Sequence, residues 1–227
     1  MPERLIITNT DAAAGKLDQA GLADGVLAWL DPLCFGPVPP MPDLATLTRL
    51  RAAYIASEPW GFSRLSEETL LARDAVLIGH GAYEDVTLWF EHDLLDQLQL
   101  VQILDWFHTH RRKPGTLRYV PANDYIEFLD IEDVHEFAEK AIVIDETHTA
   151  LAARVWSAFR DSTPEAFANL LKYDLRALPF LRSAIIRLLE ELPAPATGLA
   201  RSERQILDLL KHGIRQARPM YMGHLPV

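Results

Sequence analysis

Cysteine is almost missing from this chain: Cys34 is the only one in 227 residues. An internal disulfide is therefore excluded, and a reducing compartment is the natural expectation. Long apolar runs are missing too. No stretch reaches 18 uncharged apolar residues, so no membrane span is expected. The opening Met1-Pro2-Glu3-Arg4 and Leu5-Ile6-Ile7 lack the basic flank and long apolar core of a signal peptide, which makes the cytoplasm the expected location. Glycine is sparse, and neither the Gly-x-Gly-x-x-Gly nor the Walker spacing occurs, so no nucleotide fingerprint is present. Positive charge is also short, with 22 Lys+Arg against 32 Asp+Glu. The resulting net charge of −10 repels phosphate backbones over most of the surface.

The residues that are present describe an ordinary globular chain, 49% apolar and 24% charged, with neither internal repeat nor low-complexity tract. Arg4 to Thr8 reads as a strand, and Asp11 as the N-cap of an Ala-rich helix reaching Ala20. Val26 to Trp29 is a second strand. Asp31 to Pro42 holds five prolines and one glycine and must be an ordered loop. Helices over Leu44–Ala56 and Ser66–Ile78 follow, then a strand over Asp85–Phe90, a helix from Leu94 to Phe107 and a strand over Thr116–Val120. This β-α-β-α-α-β-α-β order predicts an α/β fold, a Rossmann-like, parallel-rich sheet flanked by helices, within residues 1–125.

The second half predicts helices only: Ile131–Glu139, Thr147–Phe159, Pro164–Lys172 and Leu178–Glu191. A mainly helical region over 126–192 is therefore expected to pack on the sheet domain. Leu192 to Gly198 is a Pro-rich linker, and Ser202–His212 is a last helix closed by Gly213. Residues 200–227 carry five Lys/Arg against two Asp/Glu, a local +3 that leaves −13 for the rest.

Two long motifs carry a family resemblance. Trp29-Leu30-Asp31-Pro32-Leu33 with Gly36-Pro37-Val38-Pro39 is one, and Leu88-Trp89-Phe90-Glu91-His92-Asp93 with Asp96-Gln97-Leu98-Gln99-Leu100 is the other. Together with Leu178-Pro179-Phe180-Leu181, Arg187, Glu190-Glu191, Pro193 and Gly198 to Gln205, the chain resembles the bacterial family called domain of unknown function 1835. The resemblance spans nearly the whole chain and implies an N-terminal α/β domain followed by a helical region. It also implies that 199–227 begins a helix-turn-helix-like module. Ile214 to Val227 is too short for its remaining helices and wing, so an incomplete module is expected.

Ligands of parallel sheets bind beyond the carboxyl ends of the strands. That rule gathers Asn9 and Asp11 after the first strand, Asp31 after the second, Glu91, His92 and Asp93 after the third, and Asn123-Asp124 after the fourth. Such a rim suits general acid/base work, a divalent metal or a polar ligand. Glu91, His92 and Asp93 are the candidate catalytic residues; Asn9, Asp11 and Asp31 are the candidate ligand-binding residues. Asp93 also fits a plain helix cap, Asp31 a turn before Pro32, and His92 a structural histidine.

No Cys/His spacing marks a zinc site, and no metal ligands are assigned. Cofactors are left open. Gln97, Gln99 and Gln102 read as solvated helix residues, Trp29, Trp89 and Trp106 as core, Arg111-Arg112-Lys113 as a solvated helix end, and Cys34 as no nucleophile. Three functions remain open at this point: an enzyme or binding domain for a small polar or anionic molecule at the strand ends; a ligand-sensing regulator whose segment 199–227 touches DNA or a protein; and a structural homo-oligomer.

Overall fold

The computed structural model describes residues 3–58, 65–114 and 116–216. In chain order the elements are β1 (Arg4–Thr8), α1 (Asp11–Gln19), β2 (Gly25–Ala28), α2 (Leu44–Ser57), α3 (Glu67–Ile78), β3 (Asp85–Glu91), α4 (Leu94–Thr109) and β4 (Leu117–Ala122). They continue with α5 (Ile131–Glu139), β5 (Ile142–Val143), α6 (Glu146–Phe159), α7 (Pro164–Asn169), α8 (Leu181–Leu189) and α9 (Arg201–Lys211). The fold is α/β. The strands form one sheet in the order β2-β1-β3-β4-β5. The first four are mutually parallel, with Ile7 beside both Leu27 and Leu88, and Leu88 beside Tyr119.

β5 is antiparallel to β4, pairing Ile142 with Tyr119, and had no counterpart among the expected strands. Two residues are too few for alternation to register as a strand. The sheet thus takes its edge from residues beyond 125. The boundaries of the last helices also differ from expectation. The stretch from Pro164 becomes a short α-helix and then a 3₁₀ turn over Leu170–Lys172, and α8 starts only at Leu181, after the turn around Pro179.

β3 is the spine of the molecule. Val86, Leu88 and Phe90 join the larger core with α4, α6 and α8, while Trp89 joins Ile6, Leu17, Val120 and Val134 on the α1/α5 side. A central parallel strand buried on both faces reads as a continuous apolar run, as Val86 to Phe90 nearly does. α4 is buried on most of its circumference, and that includes Asp96, Gln97, Gln99 and Gln102. The solvated reading of these glutamines is overturned: Gln97 and Gln99 are each 1% exposed. Gln102 Oε1 accepts from Trp29 Nε1 at 2.8 Å, and Gln99 Nε2 donates to the Asp31 carbonyl at 3.0 Å. Buried amides persist because the backbone and indole groups they meet would otherwise lack partners.

Arg112 also departs from the expected solvated helix end. Its guanidinium donates to the carbonyls of Tyr83, Glu84 and Thr116 and tethers β3's approach to that of β4. Among the described residues no helix is long and apolar enough to cross a membrane. α9 closes on Gly213 at φ +86°, a left-handed conformation suited to glycine. Of the segment 199–227, residues 217–227 lie outside the described residues.

Candidate functional site

In the strand order 2-1-3-4-5, the connection leaving β1 runs to β2 on one side and that leaving β3 runs to β4 on the other, and a reversal of this kind opens a crevice beyond the carboxyl ends of β1 and β3. Asn9 follows β1 there, and Glu91 ends β3. Asp93 then caps α4, its carboxylate accepting the Asp96 amide at 3.0 Å. That cap turns the chain sharply, so the helix's first turn folds back over the strand end. Asp96 consequently reaches the Glu91 backbone amide with Oδ2 at 2.5 Å and Asn9 Nδ2 with Oδ1 at 2.8 Å. The end of β1 is thereby locked to the junction of β3 and α4 at one carboxylate.

The result is a group of three carboxylates, Glu91, Asp93 and Asp96, whose oxygens lie within 4.8 Å of one another. Asp96 is fully buried and Glu91 is 4% exposed, whereas Asp93 is half-buried. Glu91 Oε1 accepts the Ile126 amide at 2.8 Å, which fixes the carboxylate toward the turn after β4. Among the described residues, no Lys, Arg or His forms an ion pair with any of the three.

Burial without a counter-cation has a clear electrostatic consequence. Desolvation pushes the Glu91 carboxyl up to about 7, and neighbouring Asp93 and Glu127 push the same way against the Ile126 amide. Desolvation, then Asp93 and Glu91, hold Asp96 well above the usual carboxylate range despite its two hydrogen bonds. Like charges packed this closely in low dielectric favour keeping a proton.

His92, between two of these acids in sequence, turns its ring toward aromatic neighbours instead. The ring lies 5.4 Å from that of Tyr125 and 6.0 Å from that of Phe180. Its Nδ1 is buried without a partner, as are Gln97 Oε1 and Gln99 Oε1. Gln97 is anchored at the site through Nε2, which donates to the Glu91 carbonyl at 2.7 Å. The orphaned buried side-chain atoms of the described residues thus all sit on the segment that runs from the end of β3 into α4. Such groups in a native fold call for a water, an ion or a ligand.

The structure brings together Asn9, Glu91 and Asp93 from the expected set, with His92 beside them, and it leaves two residues out. Asp11 is not the cap of α1; Thr10 is, accepting the Ala13 amide at 3.2 Å, and Asp11 is an exposed first-turn residue. Asp31 is 1% exposed and engaged in full by Arg51, itself fully buried. Arg51 Nη2 lies 2.8 Å from Asp31 Oδ1, and Nε lies 3.0 Å from the same oxygen. Asp31 therefore serves the proline-rich loop and not a ligand. Asp124 accepts the amide of its own neighbour Tyr125, as a turn residue does. Cys34 is also no nucleophile, since burial pushes its thiol up to about 12.

Asp96 is the residue that sequence reasoning missed. Its signal was the Glu91-x-Asp93-x-x-Asp96 spacing, which places three acids across one strand-to-helix turn. No protein-family model matches the chain, and no curated protein matches it. Among solved structures, one titled the structure of the DnaG catalytic core is similar at 17% identity with a TM-score of 0.36, over 84% of this chain and 51% of that one. The chain thus spans about half the length of that structure, and a likeness this slight adds nothing to the reading of the site.

Proposed function

We propose that this protein binds a divalent cation at Glu91, Asp93 and Asp96 in the β1–β3 crevice and, through that cation, a small anionic molecule. The observation carrying this reading is the convergence of three carboxylates within 4.8 Å, with no cationic side chain paired to them among the described residues. A bare anion would be repelled there. A hard cation would relieve the repulsion, and Mg²⁺-type ions typically take one or two carboxylates and complete their shell with water and substrate oxygens. Asp93 and Glu91 are the ligands nearest the opening. Asp96 stands behind them and holds Glu91 and Asn9 in place.

The experiment is a thermal-shift and calorimetric titration with Mg²⁺, Mn²⁺ and Ca²⁺ on the wild type, Glu91→Gln, Asp93→Asn and the control Asp11→Asn. Wild type and D11N gain stability with the cation, by about 3 kcal/mol at a hundredfold excess over Kd. E91Q and D93N do not. Asparagine caps a helix as well as aspartate, so D93N removes the charge and keeps the turn. Absence of any shift in the wild type at millimolar cation rejects the reading.

A second reading has its own support: Glu91, with its carboxyl near 7, is suited to carry a proton at neutral pH without any metal. In that case E91Q abolishes activity on the ligand while cation titrations stay flat. Both readings fit a cytoplasmic protein with a reduced thiol at Cys34.

A further inference from the structure

At the end of α4 opposite Asp93, one imidazole and one guanidinium join two connections of the sheet. His80 opens the 3₁₀ turn His80–Ala82 between α3 and β3. Its half-buried ring stands edge-on to Trp106 and Phe107, 5.3 Å from each, at 86° and 85°. Arg112 comes from the turn between α4 and β4. Its Nη1 lies 2.9 Å from His80 Nδ1 and also donates to the His80 carbonyl. The rest of the guanidinium is spent on the carbonyls of Tyr83, Glu84 and Thr116. A guanidinium only donates and keeps its charge, so Nδ1 must present its lone pair and the ring proton must sit on Nε2. A second proton, on Nδ1, would set N–H against N–H and bring two positive charges into contact.

We propose that His80 and Arg112 form a proton-operated clasp: the neutral ring ties the α3–β3 connection to the α4–β4 turn, and a proton on Nδ1 opens it. The surroundings of the ring all favour its neutral form. Burial lowers its pKa most, followed by Arg112 and by His110, whose own ring stacks on Trp106 at 4.1 Å. Asp85, at the start of β3, acts on Arg112 and not on the ring. The last turn of α3, Ala75 to Ile78, carries no charge, and Tyr83 and Glu84 offer Arg112 their carbonyls. Among the described residues, then, no carboxylate shields an imidazolium here. A histidine held below its ordinary value stabilises the closed clasp above that value, and the contribution is lost as pH falls through the lowered one. On opening, the ring leaves Trp106 and Phe107 while Arg112 keeps its carbonyls, so the change is confined to this corner.

The test reads the ring directly. Long-range proton–nitrogen NMR spectra of the wild type, from about pH 8 down to about pH 5, follow its histidines, and His80→Gln assigns His80. The proposal expects a proton on Nε2 alone at neutral pH and a midpoint below the ordinary histidine range. It expects the Trp106 ring signals to move with that same midpoint, to keep moving in His110→Gln, and to stay still in H80Q. Arg112→Met raises the His80 midpoint toward its ordinary value. If that variant does not fold, the wild-type tautomer and midpoint decide by themselves. A proton on Nδ1 at neutral pH overturns the proposal, and so does a midpoint at or above the ordinary value. Trp106 signals indifferent to the His80 titration overturn it too. Far-UV circular dichroism is recorded over the same range; loss of helix in the same step rejects a local clasp in favour of general acid unfolding.

Discussion

Replacing Arg51 by methionine should unfold much of this protein's margin of stability, although Arg51 lies outside the crevice. The guanidinium is fully buried and lies against Asp31, itself 1% exposed. It also donates to the carbonyls of Pro32 at 3.1 Å, Phe35 at 2.6 Å and Pro37 at 3.2 Å. Methionine fills the stem volume but strands the Asp31 charge and unpairs these carbonyls together. Breaking a buried pair from one side costs about 3–5 kcal/mol, so about 4 kcal/mol is expected, or about 12 °C in Tm for a chain of this size. The assay is urea unfolding followed by tryptophan fluorescence, since Trp29 lies two residues from Asp31. Replacing both partners, as Arg51→Met with Asp31→Leu, removes the stranded charge and should recover at least half of the loss. A cost below 1 kcal/mol for R51M refutes the account and returns Asp31 to the candidate ligand set.

Three further outcomes follow from the same geometry. Glu91 holds its proton more tightly folded than unfolded, so the stability it contributes is full below its ordinary 4.5 and is lost as pH rises through about 7. Cation-free wild type should therefore lose about 3 kcal/mol across that window by urea titration, and E91Q should flatten the slope; an unchanged slope in E91Q rejects the assignment. Asp93→Ala should cost about 1 kcal/mol more than Asp93→Asn, because only alanine loses the cap; equal losses would mean that the cap contributes nothing. Gly36→Ala should destabilise strongly, by thermal melting, because φ is +72° and an added Cβ would overlap the Tyr54 ring; a neutral result would mean that the loop moves freely.

Much of the fold could be read from the chain because parallel strands buried on both faces are written as plain apolar runs, and Leu5-Ile6-Ile7 and Val86 to Phe90 are such runs. Cap signals were equally legible at Ser66 and Asp93, where the hydroxyl or carboxylate accepts the amide three residues on. In the sequence Asp11 reads as the cap of α1 in place of Thr10, because both residue types cap well and only the backbone entry angle decides. Charge pairing was the harder problem. Asp31 and Arg51 are twenty residues apart, and nothing local says that a turn aspartate will meet a helix arginine in the core. Asp96 and the glutamines of α4 look like a polar helix face by composition. They are buried because they face the strand ends and the loop after β2, where Asn9, Glu91, Asp31 and Trp29 are their partners, which is tertiary information.

α4 carries Asp96 in its first turn and Asp93 at its cap, next to Glu91 at the end of β3, while its body lies wedged between the sheet and the helices that cover it. The crevice floor is therefore part of the least deformable region of the molecule. On the cation reading proposed above, exchange of the ion would require no parting of the core, and its rate would be set by stripping water from the ion. Selectivity among ions of equal charge would then come from how well each fits a fixed spacing of oxygens, with little room for the protein to adjust.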